Sequence, residues 1–294
     1  MAPEHLVWSR FVQGTQTLYR SRRLRFDDRF AGQYRPLMDL DSGRRLRILE
    51  VGCGPGALAG ALHRWYPQAA ITGLDRDHAF IKFAKKQAPG ITFVEGDATA
   101  LPFPDGSFDV CISNTVSEHI APEAFFGEQW RVLAPGGLCL LLSSRKGIVH
   151  RAECLTYSKA EADFWARAAH QDDTLERYAI AKYPMNEQEL PQVMAAHGFT
   201  DIKTGFVTLN LCPDHPGYPA AFARDIINAG RHSELDAITA VEHSQQGRFP
   251  QEELAKMRCL ANQRYDRRIA LYEGGEQQWD TTVALIMVVR GTKS

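Results

Sequence analysis

Nine residues, Leu49-Glu50-Val51-Gly52-Cys53-Gly54-Pro55-Gly56-Ala57, constrain this chain more than any other stretch. An apolar segment ends in three closely spaced glycines, and a helix-forming segment follows at once. Glycines let a ligand touch the backbone, and the unpaired N–H groups of the following helix end favour anionic or polar atoms. Gly52, Gly54 and Ala57 also satisfy the spacing G-x-G-x-x-G/A, so the turn by itself leaves open which nucleotide-like ligand it serves.

The surrounding pattern is a β/α alternation. Apolar strands are expected at 46–52, 70–75, 91–95, 108–114 and 138–143, with helices at 57–66, 77–87 and about 122–133 between them. Near-continuous apolar strands separated by helices mean a parallel sheet covered on both faces. Residues 1–45 form a helical cap rich in arginine and aromatic residues, 46–147 the Rossmann-like core, 148–185 a helical insert, 186–212 a continuation of the core, 213–276 a second helical insert and 277–294 the final core strand. Ligands of such sheets lie beyond the strand C-termini, so the two inserts and the cap are expected to form a lid. A dimer interface is the competing role for these helices, which makes a homodimer a candidate assembly.

Charge excludes some partners. The 34 Lys and Arg nearly cancel the 35 Asp and Glu, which leaves no global field to attract a polyanion, so nucleic acid is not expected and a small molecule is. The six cysteines include no C-x-x-C pair, which argues against a zinc knuckle or a redox dithiol and, with reduced scattered thiols, for the cytoplasm. Neither a secretory leader nor an apolar run long enough to cross a bilayer is visible, so no membrane association is expected. No dense His or carboxylate cluster calls for a metal, and metal independence is the expectation.

Two further carboxylates fall where strands end. Asp75 closes the second strand about twenty residues after the glycines, a position where a carboxylate accepts from both hydroxyls of a ribose. Asp97, in Val94-Glu95-Gly96-Asp97-Ala98, suits an exocyclic adenine amine, with a helix N-cap as its structural alternative. The order Glu50-Val-Gly-Cys-Gly-Pro-Gly56, Gly96-Asp-Ala98, Leu101-Pro-Phe103, Phe108-Asp109, Glu118-His119 and Arg131-Val-Leu-Ala-Pro-Gly-Gly137 resembles the class I S-adenosylmethionine-dependent methyltransferases, especially the group that includes ubiquinone and menaquinone biosynthesis enzymes. The resemblance covers about a third of the chain.

It implies a seven-stranded, mostly parallel sheet with an antiparallel last strand, and S-adenosyl-L-methionine as cofactor. Glu50, Gly52, Cys53, Gly54 and Gly56 would hold the methionine portion, Asp75 the ribose, and Asp97 with Ala98 the adenine, with Arg76 a further cofactor-binding candidate. Ser113, Asn114 and Thr115 would line the reaction centre. Methyl transfer is an in-line displacement, so alignment and exclusion of water are the main demands. Glu118 and His119, just after the fourth strand, are the candidate proton acceptors, and a structural histidine is the alternative. Tyr19 and Arg25 are candidates for the methionine end of the cofactor or the acceptor, although core packing and a surface ion pair suit them too. Trp165, Tyr178, Tyr183 and Arg231, in the inserts, are candidates for the acceptor.

The expected activity is methyl transfer to an O or N atom, less readily C or S, of a small metabolite. A nicotinamide-dependent oxidoreductase would share the glycine turn and Asp75, but it leaves Gly96-Asp97-Ala98 without a role and lacks a Tyr-x-x-x-Lys pair. A cofactor-binding protein without catalysis is the other alternative.

Overall fold

The computed structural model describes residues 8–169 and 180–294. Seven strands form one sheet in the order β3-β2-β1-β4-β5-β7-β6. They are β1 (Arg47–Val51), β2 (Ala70–Asp75), β3 (Thr92–Glu95), β4 (Phe108–Asn114), β5 (Leu133–His150), β6 (Phe199–Leu211) and β7 (Thr281–Lys293). The helices, in chain order, are α1 (Trp8–Phe11), α2 (Thr15–Arg25), α3 (Ala31–Met38), α4 (Ala57–Trp65), α5 (His78–Gln87), α6 (Pro122–Val132), α7 (Lys159–Ala169), α8 (Glu189–Ala196), α9 (Ala220–Ser244) and α10 (Gln251–Glu273).

Strands β1 to β5 pair in parallel. β7 runs the other way: Lys293 at its end donates to the Leu133 carbonyl at the start of β5 (2.6 Å), and Gly147, late in β5, lies against Val283, early in β7. Ile48, Leu49 and Val51 of β1 and Cys111 and Ile112 of β4 are fully buried, as strands covered on both faces require. The switch in chain direction lies between β1 and β4, where sheets of this kind leave a crevice beyond the strand ends.

The chain divides into two compact units. One comprises Arg25–Lys146, Ala179–Leu209 and Leu285–Ser294; the other comprises the segments up to Leu24, Gly147–Tyr178 and Asn210–Ala284. In the first, α6, α8 and β7 close a core around Phe125, Phe126, Leu141, Met194 and Val289. The second is mainly helical. α7 packs Phe164 against Ile238 and Met257 of the long helices and Phe249 of the loop between them. Arg268, fully buried, is held by Asp214 and Asp280, and Arg264 by Glu161 and Glu234.

Where a helix is expected from 148, β5 instead runs on to His150 and α7 begins at Lys159. Edge pairing with β7 lets β5 continue where the apolar pattern has already stopped. Among the described residues, no helix is long and apolar enough to cross a membrane.

Candidate functional site

β1 delivers Glu50 to the sheet interior, and the chain then turns through Gly52, Gly54 and Gly56, all at positive φ (70°, 53° and 85°). Glycine is required at two of them for a second reason. A Cβ on Gly52 would lie 2.5 Å from Val116 Cγ2, and one on Gly56 would lie 3.0 Å from both Ala84 and the Phe93 ring. Gly56 caps α4 without a side chain, so the helix end keeps its N–H groups facing the turn.

Glu50 is 2% exposed, and its Oε2 is a buried oxygen with no hydrogen-bond partner. Burial pushes its carboxyl well above the usual range, against a backbone hydrogen bond from Ala59 that acts the other way; the nearby Asp75 adds to the rise. A buried carboxylate oxygen without a donor is costly unless something cationic fills the gap. An α-ammonium group has that chemistry.

Asp75 stands at the end of β2, and the protein itself already uses part of its carboxylate. Gly54 N–H donates to Oδ2 (2.8 Å) and Asp77 N–H to Oδ1 (2.9 Å). Each oxygen keeps a second lone pair, so two hydroxyl donors still fit. Desolvation raises its pKa, while those two N–H groups oppose the rise. Arg76 beside it is exposed. Cys53 contributes differently from its neighbours: its thiol is buried, its N–H donates to Leu74 and its carbonyl accepts from Gly56. Both backbone groups of Cys53 are thus engaged.

Asp97 caps a turn, not a helix, since its Oδ1 accepts from the Thr99 N–H and hydroxyl (2.8 Å each). Its carboxylate is exposed and Ala98 packs on the core. The loop that follows is latched from α6. Arg131 donates to the Phe103 and Leu101 carbonyls and pairs with Asp105 and Glu128, while Glu128 accepts from the Leu101 N–H. The motifs Leu101-Pro-Phe103 and Arg131-Val-Leu therefore form one latch. Sequence spacing places them 30 residues apart in no visible relation.

Past β4, Asn114 is buried with its Oδ1 lacking a partner, and Thr115 takes a left-handed φ of 54° while its N–H donates to Leu142. That strained bend sends Val116 to His119 across the strand ends. His119 Nδ1 accepts from the Ala181 N–H (2.9 Å). Burial lowers its pKa most, with Arg76 acting in the same sense and Glu118 and a backbone hydrogen bond to Thr115 against. The shift favours the neutral ring, whose Nδ1 lone pair is engaged by the Ala181 N–H. Glu118 is half-buried, and its carbonyl accepts from Tyr183 N–H.

A pocket of about 190 Å³ opens here, lined by Ser117, Glu118, Ser143, Ser144, Arg145, Pro184, Met185 and Leu190. Its position follows from register. β4 ends at Asn114 opposite Leu142, and β5 carries on with Ser143, Ser144 and Arg145, so these side chains overlook the end of β4. Arg145 is paired with Glu187 (2.9 Å), and Arg25 donates to Ser144 Oγ (2.9 Å). Composition gave no cue to Ser143 or Ser144.

The other expected residues are dispersed. Tyr183 adjoins the pocket through Pro184, with Lys182 Nζ 5.6 Å from its ring centre. Tyr19, half-buried in α2, Trp165 and Arg231 belong to the helical unit. There Trp165 packs edge-on to Phe164 at 5.0 Å and Arg231 pairs with Asp266 at 2.7 Å, both structural contacts. Tyr178 lies outside the described residues. Among the described residues, no group of three His, Cys, Asp or Glu comes together as a metal site.

Residues 49–141 match a family described as "Methyltransferase domain". Over 103 residues the chain is 44% identical to a fatty-acid O-methyltransferase of Mycolicibacterium smegmatis, covering 34% of this chain and 37% of that protein. Over 95 residues it is 50% identical to a phthiotriol/phenolphthiotriol dimycocerosates methyltransferase of Mycobacterium leprae, covering 31% and 35% of the two. The chain thus matches little more than a third of the length of these relatives. In fold it is similar to phosphoethanolamine N-methyltransferase 2 of Haemonchus contortus, solved with S-adenosyl-L-methionine, at a TM-score of 0.52 and 15% identity over 99% of this chain and 61% of that one.

Proposed function

Since residues 49–141 are a class I S-adenosylmethionine-dependent methyltransferase domain, we propose that the chain as a whole transfers the methyl group of S-adenosyl-L-methionine to an O or N atom of a small molecule. The observation that carries this reading is the partnerless buried Oε2 of Glu50 beside a turn of three positive-φ glycines. It suits an ammonium group approaching backbone that only glycine leaves open. The glycine turn and Asp75 would serve a nicotinamide dinucleotide equally, and the methyltransferase-domain match decides between the two.

When bound, S-adenosyl-L-methionine supplies a methyl group activated by its sulfonium. The chain's residues supply placement. Glu50 and the glycine turn hold the methionine end, Asp75 with Arg76 the ribose, and Asp97 with Ala98 the adenine, on the loop that Arg131 latches. Asn114 and Thr115 would border the reacting carbon. Fixing nucleophile and methyl carbon in line supplies up to about 7–11 kcal/mol of the barrier. Glu118, on the pocket wall, is the proton acceptor for nucleophiles that must lose a proton, while His119 positions the strand-end loop against Ala181.

The acceptor is a small molecule and not nucleic acid, a reading that the near-zero net charge supports. The segments 148–185 and 213–276, with Trp165, Tyr183 and Arg231, are proposed to select the acceptor, because in chain order both interrupt the core after a strand. The test is calorimetric titration with S-adenosyl-L-methionine and with NAD, followed by turnover to S-adenosylhomocysteine against an acceptor panel, with and without chelator. Tight binding of NAD alone would refute the proposal.

A further inference from the structure

Among the described residues, well-buried arginines pair with carboxylates, and half-buried Arg25 differs. Arg145, Arg231, Arg264, Arg268 and Arg290, with side chains less than a fifth exposed, each pair with one or two carboxylates. Arg25 does not. Its guanidinium donates to Ser144 Oγ at 2.9 Å, and no described carboxylate lies within ion-pair distance of it. Burial is what lowers its pKa, and Tyr34 acts weakly the other way. Taking a cation out of water without an anion costs several kcal/mol in general, so a retained one points to a counter-charge supplied from outside the chain.

The place is specific. Ser144 lines the pocket past the end of β4 and sits on β5, two strands over from β1, where Glu50 and the glycine turn lie. At about 4.8 Å per strand, that is on the order of 10 Å from the turn. The anion that meets Arg25 therefore lies on the acceptor side. Its charge is limited by the neighbours: Arg145 is already neutralised by Glu187, and Glu118 adds a negative wall, so Arg25, which meets the pocket wall at Ser144, suits a single negative charge and a dianion would be repelled. A planar guanidinium with an adjacent hydroxyl matches a carboxylate. Pro184, Met185 and Leu190 offer the rest of such a molecule an apolar bed.

We infer that the methyl acceptor carries a carboxylate, and that Arg25, steadied by Ser144, is the residue that anchors it. The inference rests on the methyltransferase reading for the word acceptor, but the binding preference stands apart from turnover.

Benzoate and octanoate, with benzamide and octanamide as neutral counterparts, are titrated into the full chain with S-adenosylhomocysteine present, and S-adenosylhomocysteine is titrated alone. The acids should bind about tenfold or more tightly than the amides, as loss of a charge-assisted pair implies. Arg25→Gln should abolish that preference and Arg25→Lys keep part of it, with affinity for S-adenosylhomocysteine changed less than about twofold. Ser144→Ala, which leaves the guanidinium in place, should weaken the acids alone and guards against misfolding of the Arg25 variants. Equal binding of acids and amides, or binding of neither, overturns the inference. So does an Arg25→Gln protein that loses about tenfold in S-adenosylhomocysteine affinity while keeping its acid preference, because the anion is then the cofactor's own carboxylate. If the unmodified protein binds the acids selectively but not S-adenosylhomocysteine, the methyltransferase reading fails while the carboxylate site stands.

Discussion

Replacing Glu50 by Gln removes a charge that burial disfavours and keeps the shape of the side chain, so its effects on stability and on binding should have opposite signs. A carboxyl whose folded pKa is raised costs stability over the pH range where the unfolded chain would ionise and the folded one stays protonated. Stability is therefore highest at acid pH and falls as pH rises through the raised value. Glu50→Gln should flatten that fall and raise Tm at neutral pH by about 2–4 °C for each kcal/mol gained. Affinity for S-adenosyl-L-methionine should drop about 10- to 100-fold, the usual worth of a charged hydrogen bond. Thermal denaturation across pH and calorimetry on both proteins check the pair, and unchanged affinity would remove Glu50 from the site. Asp75→Ala is expected to weaken the cofactor by a similar factor, but it also frees the Gly54 and Asp77 N–H groups. Some loss of Tm should accompany it, a cost that a pure ligand contact would not carry.

At the scale of elements, the glycine turn, the latch and the strand-end loop each make a separate expectation. Gly52→Ala puts a methyl group against the stiff Val116 side chain in a left-handed conformation, and about 1–3 kcal/mol of stability should be lost. Denaturant unfolding measures it. Arg131→Met opens the latch on Leu101–Asp105 without touching a ligand. It should raise the cofactor Kd several-fold while Arg131→Lys, lacking the fork geometry, restores little. The His119 ring accepts from Ala181, and its pKa is depressed, so its contribution is complete above about 6.5 and is lost as pH falls below that. His119→Gln should remove this acid sensitivity and leave a modest change in turnover. A loss of several orders of magnitude would instead make His119 the base.

For the whole molecule, the division into two compact units predicts that each can be weakened separately. Arg268→Ala leaves buried Asp214 and half-buried Asp280 without their partner in the helical unit, a change that in general costs about 3–5 kcal/mol. Scanning calorimetry should show the helical unit melting earlier, with cofactor affinity of the folded protein nearly unchanged. Trp165→Ala acts in the same unit through the Phe164, Ile238 and Phe249 cluster. If it alters only acceptor kinetics and leaves stability untouched, packing is not its main role.

Local chemistry explains why so much was legible in advance. Strand, glycine turn and helix at 47–65 are set by short-range rules of backbone freedom and apolar runs, and the order of β1 to β5 follows from the alternation. The positions of Glu50, Asp75 and Asp97 at strand ends come with that order. The length of β5 was hidden, since pairing with a strand more than a hundred residues away, not its own composition, extends it to His150. The tie between Arg131 and Leu101–Asp105, the tautomer of His119 and the meeting of Arg25 with Ser144 were hidden for the same reason. Each is a contact between residues distant in the chain, and an arginine or serine looks the same in sequence whether it faces water, a carboxylate or a pocket. Residue types and spacing determined which cofactor chemistry this chain could bind, and only tertiary packing decided which charges were left without a partner.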